Sequence, residues 1–306
     1  MDHRLATAGT LSQSRDQERL PFALDRLVNL CWPLKLRILS NSTAWRIFSG
    51  VCRRIGWNES RLGWYTASNG PYAGIRLHAS HVNLLWLPMG GYEPWVTMLL
   101  IRLLTDPKWG CAGKEIWDVG AYRGYFALLC RRYSSGRVTC FEPDPANRQE
   151  LLLHLRENPR LSAEIDVVPS AVTDKDEPVE FISREAGLES QVKCAGVRLH
   201  EGESGGAKST SVPGVRLDSL LQQGRPAPGL VKIDVEGAEA LAIQGAADLI
   251  RKHWPVFLVE IHNEEAYHAS LMLLKNAGYT IFWLDGKYLR QLPRAITYGH
   301  VVALHA

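Results

Sequence analysis

Three stretches of this 306-residue chain carry side chains able to do chemistry. The first is Asp118-Val119-Gly120-Ala121-Tyr122-Arg123-Gly124, which lies between a short apolar run and a helical pattern. Small residues in a strand-to-helix turn let the backbone approach a ligand, and the helix start offers free N–H groups. Glu142 follows 22 positions after Gly120, at the end of the next strand, where an acid can accept from ribose hydroxyls. These features fit a dinucleotide, an adenosyl cofactor, or a glycine turn used only for tight packing. The three-glycine fingerprint of dinucleotide sites is incomplete, because position 122 is Tyr and only Gly120 and Gly124 remain. Asp118 would repel phosphates and suits a ligand with a positive amino group.

The second stretch is Leu230-Val-Lys-Ile-Asp234-Val-Glu236-Gly237-Ala238-Glu239. Acids at the C-terminal edge of a strand face the crevice where α/β sheets bind ligands. Grouped carboxylates raise one another's pKa unless they are solvated or paired. Asp234, at the end of an apolar strand, is therefore a candidate site residue, whereas Glu239 reads as an acid that favours a helix N-terminus. The third is Val259-Glu260-Ile261-His262-Asn263. Glu260 alternates with apolar neighbours and reads as buried and paired. His262 is a candidate general base, since its ordinary pKa is near 6.5. Asp234, Glu260 and His262 are a conceivable set for Mg or Mn, but no metal site is predicted.

The elements that must position these groups follow a rhythm. Short apolar runs at 116–119, 138–141, 165–168, 230–235, 256–261, 280–284 and 297–304 read as seven strands. Helical patterns occur after 124 through 132, at 145–157, 238–251 and 264–277. Strands alternating with helices signal βαβ units and a parallel sheet. The last two strands have no helix between them and read as an antiparallel hairpin at one edge. Two further strands are expected at 75–77 and 82–87, with a helix over 93–104. The span 173–228 reads as an insertion, with an added edge strand at 179–182 and a Gly- and Ser-rich loop at 187–213. Residues 1–75 read as an N-terminal helical extension, and 76–306 as the main domain.

The order and wording of Asp118–Gly124 with Tyr125-Phe126, Phe141-Glu142-Pro143, Leu217-Asp218-Ser219-Leu220, Val231–Glu239 and Val259-Glu260-Ile261-His262 resemble the FkbM family of methyltransferases. Gly91-Tyr92-Glu93-Pro94 looks like the segment preceding that family's first strand. The resemblance spans about residues 90–285, and its most specific part is Lys232–Glu239. It implies a Rossmann-like, doubly wound, seven-stranded sheet of order 3-2-1-4-5-7-6 with the last strand antiparallel. It implies S-adenosylmethionine as donor and a hydroxyl oxygen as the usual acceptor. By position, Asp118, Gly120, Ala121 and Gly124 would form the turn around the methionine end, and Glu142 would hold the ribose. Ser170 and Ala171 would lie near the adenine, and Glu93 would close over the cofactor. Asp234, Glu236 and His262 would serve catalysis. The family commonly has Asn and an apolar residue where this chain has Tyr122 and Arg123. Arg123 is open to two readings, pairing with the cofactor carboxylate or pointing to solvent.

Composition bounds the alternatives. A net charge of +3 does not by itself argue for nucleic acid, and the expected partner is a small-molecule, sugar-like or natural-product acceptor. Residues 1–62 hold ten Lys and Arg against five Asp and Glu, a solvated basic face. The six Cys form no C-x-x-C pair and suit a reducing, cytoplasmic setting. No signal peptide or apolar run of spanning length is read, and the pattern carries no oligomer signal. Two rival readings use the same sheet: an NAD-dependent oxidoreductase, and a non-catalytic scaffold that keeps the fold.

Overall fold

Strands buried on both faces must be apolar at nearly every position. In the computed structural model, β3 (Ile116–Val119), β4 (Val138–Phe141), β11 (Leu230–Ile233) and β12 (Val256–Ile261) are buried along their whole length. The structure describes Thr43, Ile47 and residues 63–67, 69–79, 92–183, 191–192, 208–286, 288–293 and 298–305. The expected helices before residue 63 and the strand at 82–87 lie outside them.

The main sheet runs β14-β13-β15-β12-β11-β3-β4-β5. It adds β5 (Ile165–Val168), β13 (Tyr279–Asp285), β14 (Tyr288–Gln291) and β15 (Gly299–His305) to the four buried strands. Strands β5, β4, β3, β11 and β12 are parallel. β15 runs antiparallel to both β12 and β13. Among the described residues the sheet has eight strands, where seven were expected. The last two expected strands, β13 and β15, pair antiparallel, and the addition is β14, which forms a hairpin outside β13. β14 is short and mostly exposed, so no apolar alternation marks it.

Side chains alternate across this sheet. Ile116, Leu230, Leu258 and Val302 join the core under α1 (Pro94–Thr105) and α2 (Tyr125–Tyr133). Trp117, Val231, Phe257 and Val301 join the core on the other face. That second core is closed by α5 (Leu217–Gln222), α6 (Glu239–Gln244), α7 (Ala247–Lys252) and α8 (Glu264–Asn276). The helix expected over 238–251 is broken at Gly245-Ala246, and Gly245 packs so close to the Thr173 carbonyl that a Cβ there would sit 2.0 Å from it. Helix α3 (Pro145–Glu157) starts where the Asp144 carboxylate accepts from the Ala146 and Asn147 amides. A four-residue turn of helix, α4 (Pro159–Ser162), follows it.

Two smaller sheets flank the insertion. β7 (Val179–Ser183) was expected to extend the main sheet, but it pairs with β8 (Gln191–Val192) and β9 (Lys208–Val212) as a separate antiparallel sheet. β6 (Ala171–Val172) pairs with β10 (Gly214–Val215), which returns the insertion to the end of β5. The hairpin of β1 (Gly63–Thr66) and β2 (Arg76–Ala79) pairs residues on both sides of position 75. Among the described residues, no helix is long and apolar enough to cross a membrane.

Candidate active site

Side-chain alternation sets the first layer of the site. Asp118 on β3 is in register with Lys232 on β11, and Glu260 on β12 is in register with His300 on β15. All four share the face beneath α1 and α2, near the C-terminal ends of the parallel strands. They replace the apolar residues that fill this face lower down.

Asp118 is 2% exposed, and neither carboxylate oxygen accepts a hydrogen bond. Burial raises its pKa to about 6, with the nearby Lys232 ammonium opposing. An unpartnered buried carboxylate is costly to maintain unless a cation or donor comes to it.

The chain turns beside it. Gly120 has φ +77, and a Cβ there would lie 1.7 Å from the Asp234 carbonyl oxygen. The glycine lets the β3 and β11 loops touch, which brings the first two motifs together. The Tyr122 amide donates to Glu142 Oε2 at 2.7 Å, and the Asp144 amide donates to Oε1 at 2.8 Å. Burial lifts Glu142 to about 8 against these two donors. Gly124, with φ +78, caps α2, and its Cα side faces Leu151. Arg123 does not point to solvent; it is buried with its guanidinium 4.9 Å from the Tyr122 ring centre. Ser170 and Ala171 are buried at the end of β5, and the Ala171 amide donates to the Pro213 carbonyl.

The loops after β11 and β12 supply the second layer. Lys232 Nζ lies 2.9 Å from Asp234 Oδ2 and 4.9 Å from the Phe126 ring centre. Burial opposes its charge, but Asp234, Asp118 and Glu93 raise the lysine pKa above its ordinary value. His262 Nε2 is 3.7 Å from Asp234 Oδ1 and 3.4 Å from Glu236 Oε2, while Nδ1 is 2.7 Å from Glu239 Oε1. Burial disfavours the imidazolium, yet Glu239, Glu236 and Asp234 raise His262 to about 10. At neutral pH the ring is therefore a cation held among carboxylates, a state in which it has no lone pair to take a proton.

Asp234, Glu236 and His262 are thus brought together as expected from their motifs, with ligand-type atoms all within 4.8 Å of one another. Asp234, Glu260 and His262, conceivable together as a metal set, do not form one group. Glu260 groups instead with Glu93 and His300, again within 4.8 Å, and its Oε1 is 4.0 Å from His262 Nε2. Glu93, the residue before α1, approaches the β12 and β15 side of the crevice. Glu239 departs from its reading as a simple helix-start acid. It is 0% exposed and takes both the Gly237 amide and the His262 ring.

Three of the four non-glycine residues with positive φ among those described sit here: Glu93 at 40°, Tyr122 at 49° and Glu236 at 52°. Such backbone costs of order 1–3 kcal/mol per residue and gathers where surrounding structure holds it for function. Lys232 and His300 escaped sequence reasoning. Their signal was available in alternation, since each stands where the apolar period of its strand calls for a core residue.

A large mixed sheet with helices on both faces, a glycine turn after its first buried strand and an acid after its second define a Rossmann-like fold. The methyltransferase FkbM domain matches residues 118–281, more than half of the chain, and the chain belongs to that family of S-adenosylmethionine-dependent enzymes. The FkbM methyltransferase of Methylobacillus flagellatus KT is similar in structure, at 15% identity over 86% of this chain and 72% of its own, with a TM-score of 0.41. Cofactor-bound Rv0187 from MTB shares 16% identity over 70% of this chain and 81% of its own, with a TM-score of 0.42. The O-methyltransferase from Bacillus cereus in complex with SAH shares 13% identity over 71% of this chain and 83% of its own, with a TM-score of 0.40. A search of curated proteins found no match.

Proposed function

We propose that the chain transfers a methyl group from S-adenosylmethionine to a hydroxyl oxygen of a small-molecule acceptor. The observation that carries the donor half is the buried Asp118 carboxylate, whose two unpartnered oxygens suit the cofactor's amino group. The close approach at Gly120, where any Cβ would collide, leaves backbone in place of a side chain along the same crevice. Ala121 and Gly124 complete that turn. Glu142, fixed by two backbone amides, keeps lone pairs for ribose hydroxyls. Ser170 and Ala171 border the adenine end, and Glu93 closes the opposite side. The sulfonium supplies an electrophilic methyl group that needs no further activation.

The chain's remaining task is to align the acceptor and take its proton. Asp234 suits the base role. Its Oδ2 is committed to Lys232, while Oδ1 faces the His262 side of the crevice. The His262 imidazolium holds Asp234 and Glu236 in place, and Glu236, half-exposed, orients the acceptor hydroxyl. Oxygen fits a base and hydrogen-bond acceptors that are all carboxylates, because a hydroxyl is a donor to each. The NAD alternative meets Asp118 beside the turn, which would repel a pyrophosphate.

The test pairs binding with transfer. Isothermal titration with S-adenosylhomocysteine is expected to show one site per chain. Incubation with methyl-labelled cofactor and a host metabolite extract is expected to label a product whose methyl resists mild acid and base, as an ether does. No binding at millimolar ligand favours a scaffold, and label on carbon or nitrogen sinks the oxygen assignment.

A further inference from the structure

We infer that Glu93, Glu260 and His300 form a binding site for one divalent first-row cation, of which Mn2+ is the probe of choice, beside the methyl-transfer crevice. Glu260 and His300 are cross-strand neighbours on β12 and β15. Glu93 reaches them from the start of α1, on backbone with φ 40°. His300 Nε2 stands 3.2 Å from Glu260 Oε2 and 3.6 Å from Glu93 Oε2. Bonds of about 2.1 Å to a metal place neighbouring ligand atoms about 3.0–3.4 Å apart, for octahedral and tetrahedral angles respectively. The two distances from His300 are at or close to this range, and the Glu93 and Glu260 oxygens lie within 4.8 Å of each other.

A second observation points to a ligand. Glu93 Oε2 is buried, accepts no hydrogen bond and faces the His300 ring, which already rests against the Glu260 carboxylate. A buried carboxylate oxygen of this kind is costly unless a cation or donor comes to it. Two carboxylates and a neutral imidazole balance a divalent charge. One nitrogen with oxygen donors suits Mn2+, Fe2+ or Zn2+ better than Ca2+.

The neighbouring trio of Asp234, Glu236 and His262 is a poorer site. The Lys232 ammonium 2.9 Å from Asp234 Oδ2 would repel a metal there. Three protein ligands leave open positions on the ion, and an acceptor hydroxyl bound there would lose its proton more easily. That role, though not the binding itself, rests on the methyl-transfer reading.

The experiment is a titration of MnCl2 into the chelator-treated full chain, followed by the electron paramagnetic resonance signal of free Mn2+, with and without S-adenosylhomocysteine. The expected result is loss of about one equivalent of free signal per chain at micromolar Mn2+. Glu93→Gln and His300→Gln each weaken binding at least tenfold, and Asp234→Asn changes it less than threefold. His300→Gln retains S-adenosylhomocysteine affinity, which also reports that it folds. Undiminished free signal up to millimolar Mn2+ in the wild-type chain overturns the inference whatever the variants do. So does binding that Asp234→Asn abolishes and His300→Gln leaves intact. Failure to bind Mn2+ with S-adenosylhomocysteine still bound removes only the metal. Mn2+ binding without S-adenosylhomocysteine binding removes the methyl-transfer reading and leaves the metal.

Discussion

Lys232 Nζ and Asp234 Oδ2 lie 2.9 Å apart at the end of β11, with the lysine side chain 4% exposed and the aspartate 20%. One partner is sealed under α2 and the other opens onto the crevice. The pair therefore couples the stability of the sheet to the chemistry at its edge.

Asp234→Ala leaves the buried ammonium without its nearest anion, which costs about 3–5 kcal/mol for a broken buried pair. Asp234→Asn keeps the shape and an acceptor oxygen, and is the cleaner probe. Its methyl-transfer rate is expected to fall on the order of 100-fold or more, the range of a lost general base. Its affinity for S-adenosylhomocysteine, read by calorimetry, is expected to stay near the wild-type value. Loss of that affinity would instead assign Asp234 to the cofactor.

Gly120→Ala puts a methyl group 1.7 Å from the Asp234 carbonyl, on backbone at φ +77. The β3 and β11 loops must separate to admit it. Destabilisation of roughly 2–4 kcal/mol is expected, from combined overpacking and strain. Thermal unfolding measures this, and an unchanged midpoint would mean the two loops are not locked together.

Glu142→Gln replaces one acceptor oxygen by an amide donor, so the Tyr122 and Asp144 amides can no longer both be satisfied. The glycine turn loosens and a ribose acceptor is lost. Affinity for S-adenosylhomocysteine is expected to drop about 10–100-fold, roughly 1.4–2.7 kcal/mol. Asp118→Asn is expected to weaken the same ligand, because the charge facing its amino group is gone.

Glu239→Gln removes the anion against which His262 Nδ1 rests. The imidazole is expected to titrate below its present value of about 10, toward the ordinary range. Nuclear magnetic resonance of the ring protons across a pH series reads this directly. An unmoved titration would show that Asp234 and Glu236 hold the charge without Glu239.

His154 makes the fold acid-sensitive. Its Nδ1 donates to the Arg123 carbonyl at 2.7 Å, and its Nε2 accepts from the His78 amide at 2.8 Å, so β2, α3 and the glycine turn meet on a neutral ring. Burial lowers its pKa to about 4. A lowered histidine stabilises the fold above its ordinary pKa and loses that contribution as pH falls from 6.5 through about 4. Thermal midpoints at a series of pH values in that window are expected to decline, with a shallower decline in His154→Gln.

Much of the site was legible because strand ends carry their chemistry in short, contiguous motifs. Asp118, Glu142, Asp234 and His262 each follow an apolar run, and an apolar run of four to six residues reads as a buried strand whatever surrounds it. What failed was short or polar. β14 has no apolar period, and β7 carries a strand pattern that does not say which sheet it will join. Glu239 sits where acids commonly ease a helix start, and its burial arises from α6 packing under the loop that holds His262.

The sequence by itself determined a parallel α/β sheet, a glycine turn and a set of acids at one edge, because periodicity and turn chemistry are local. Its resemblance to one family named the methyl donor. Tertiary structure alone decided that Glu260 groups with Glu93 and His300, that His262 is held as a cation, and that β14 adds a strand outside β13. Those outcomes depend on strand order and on where α1 lands. Both are set by packing between residues far apart in the chain, and no local period encodes them.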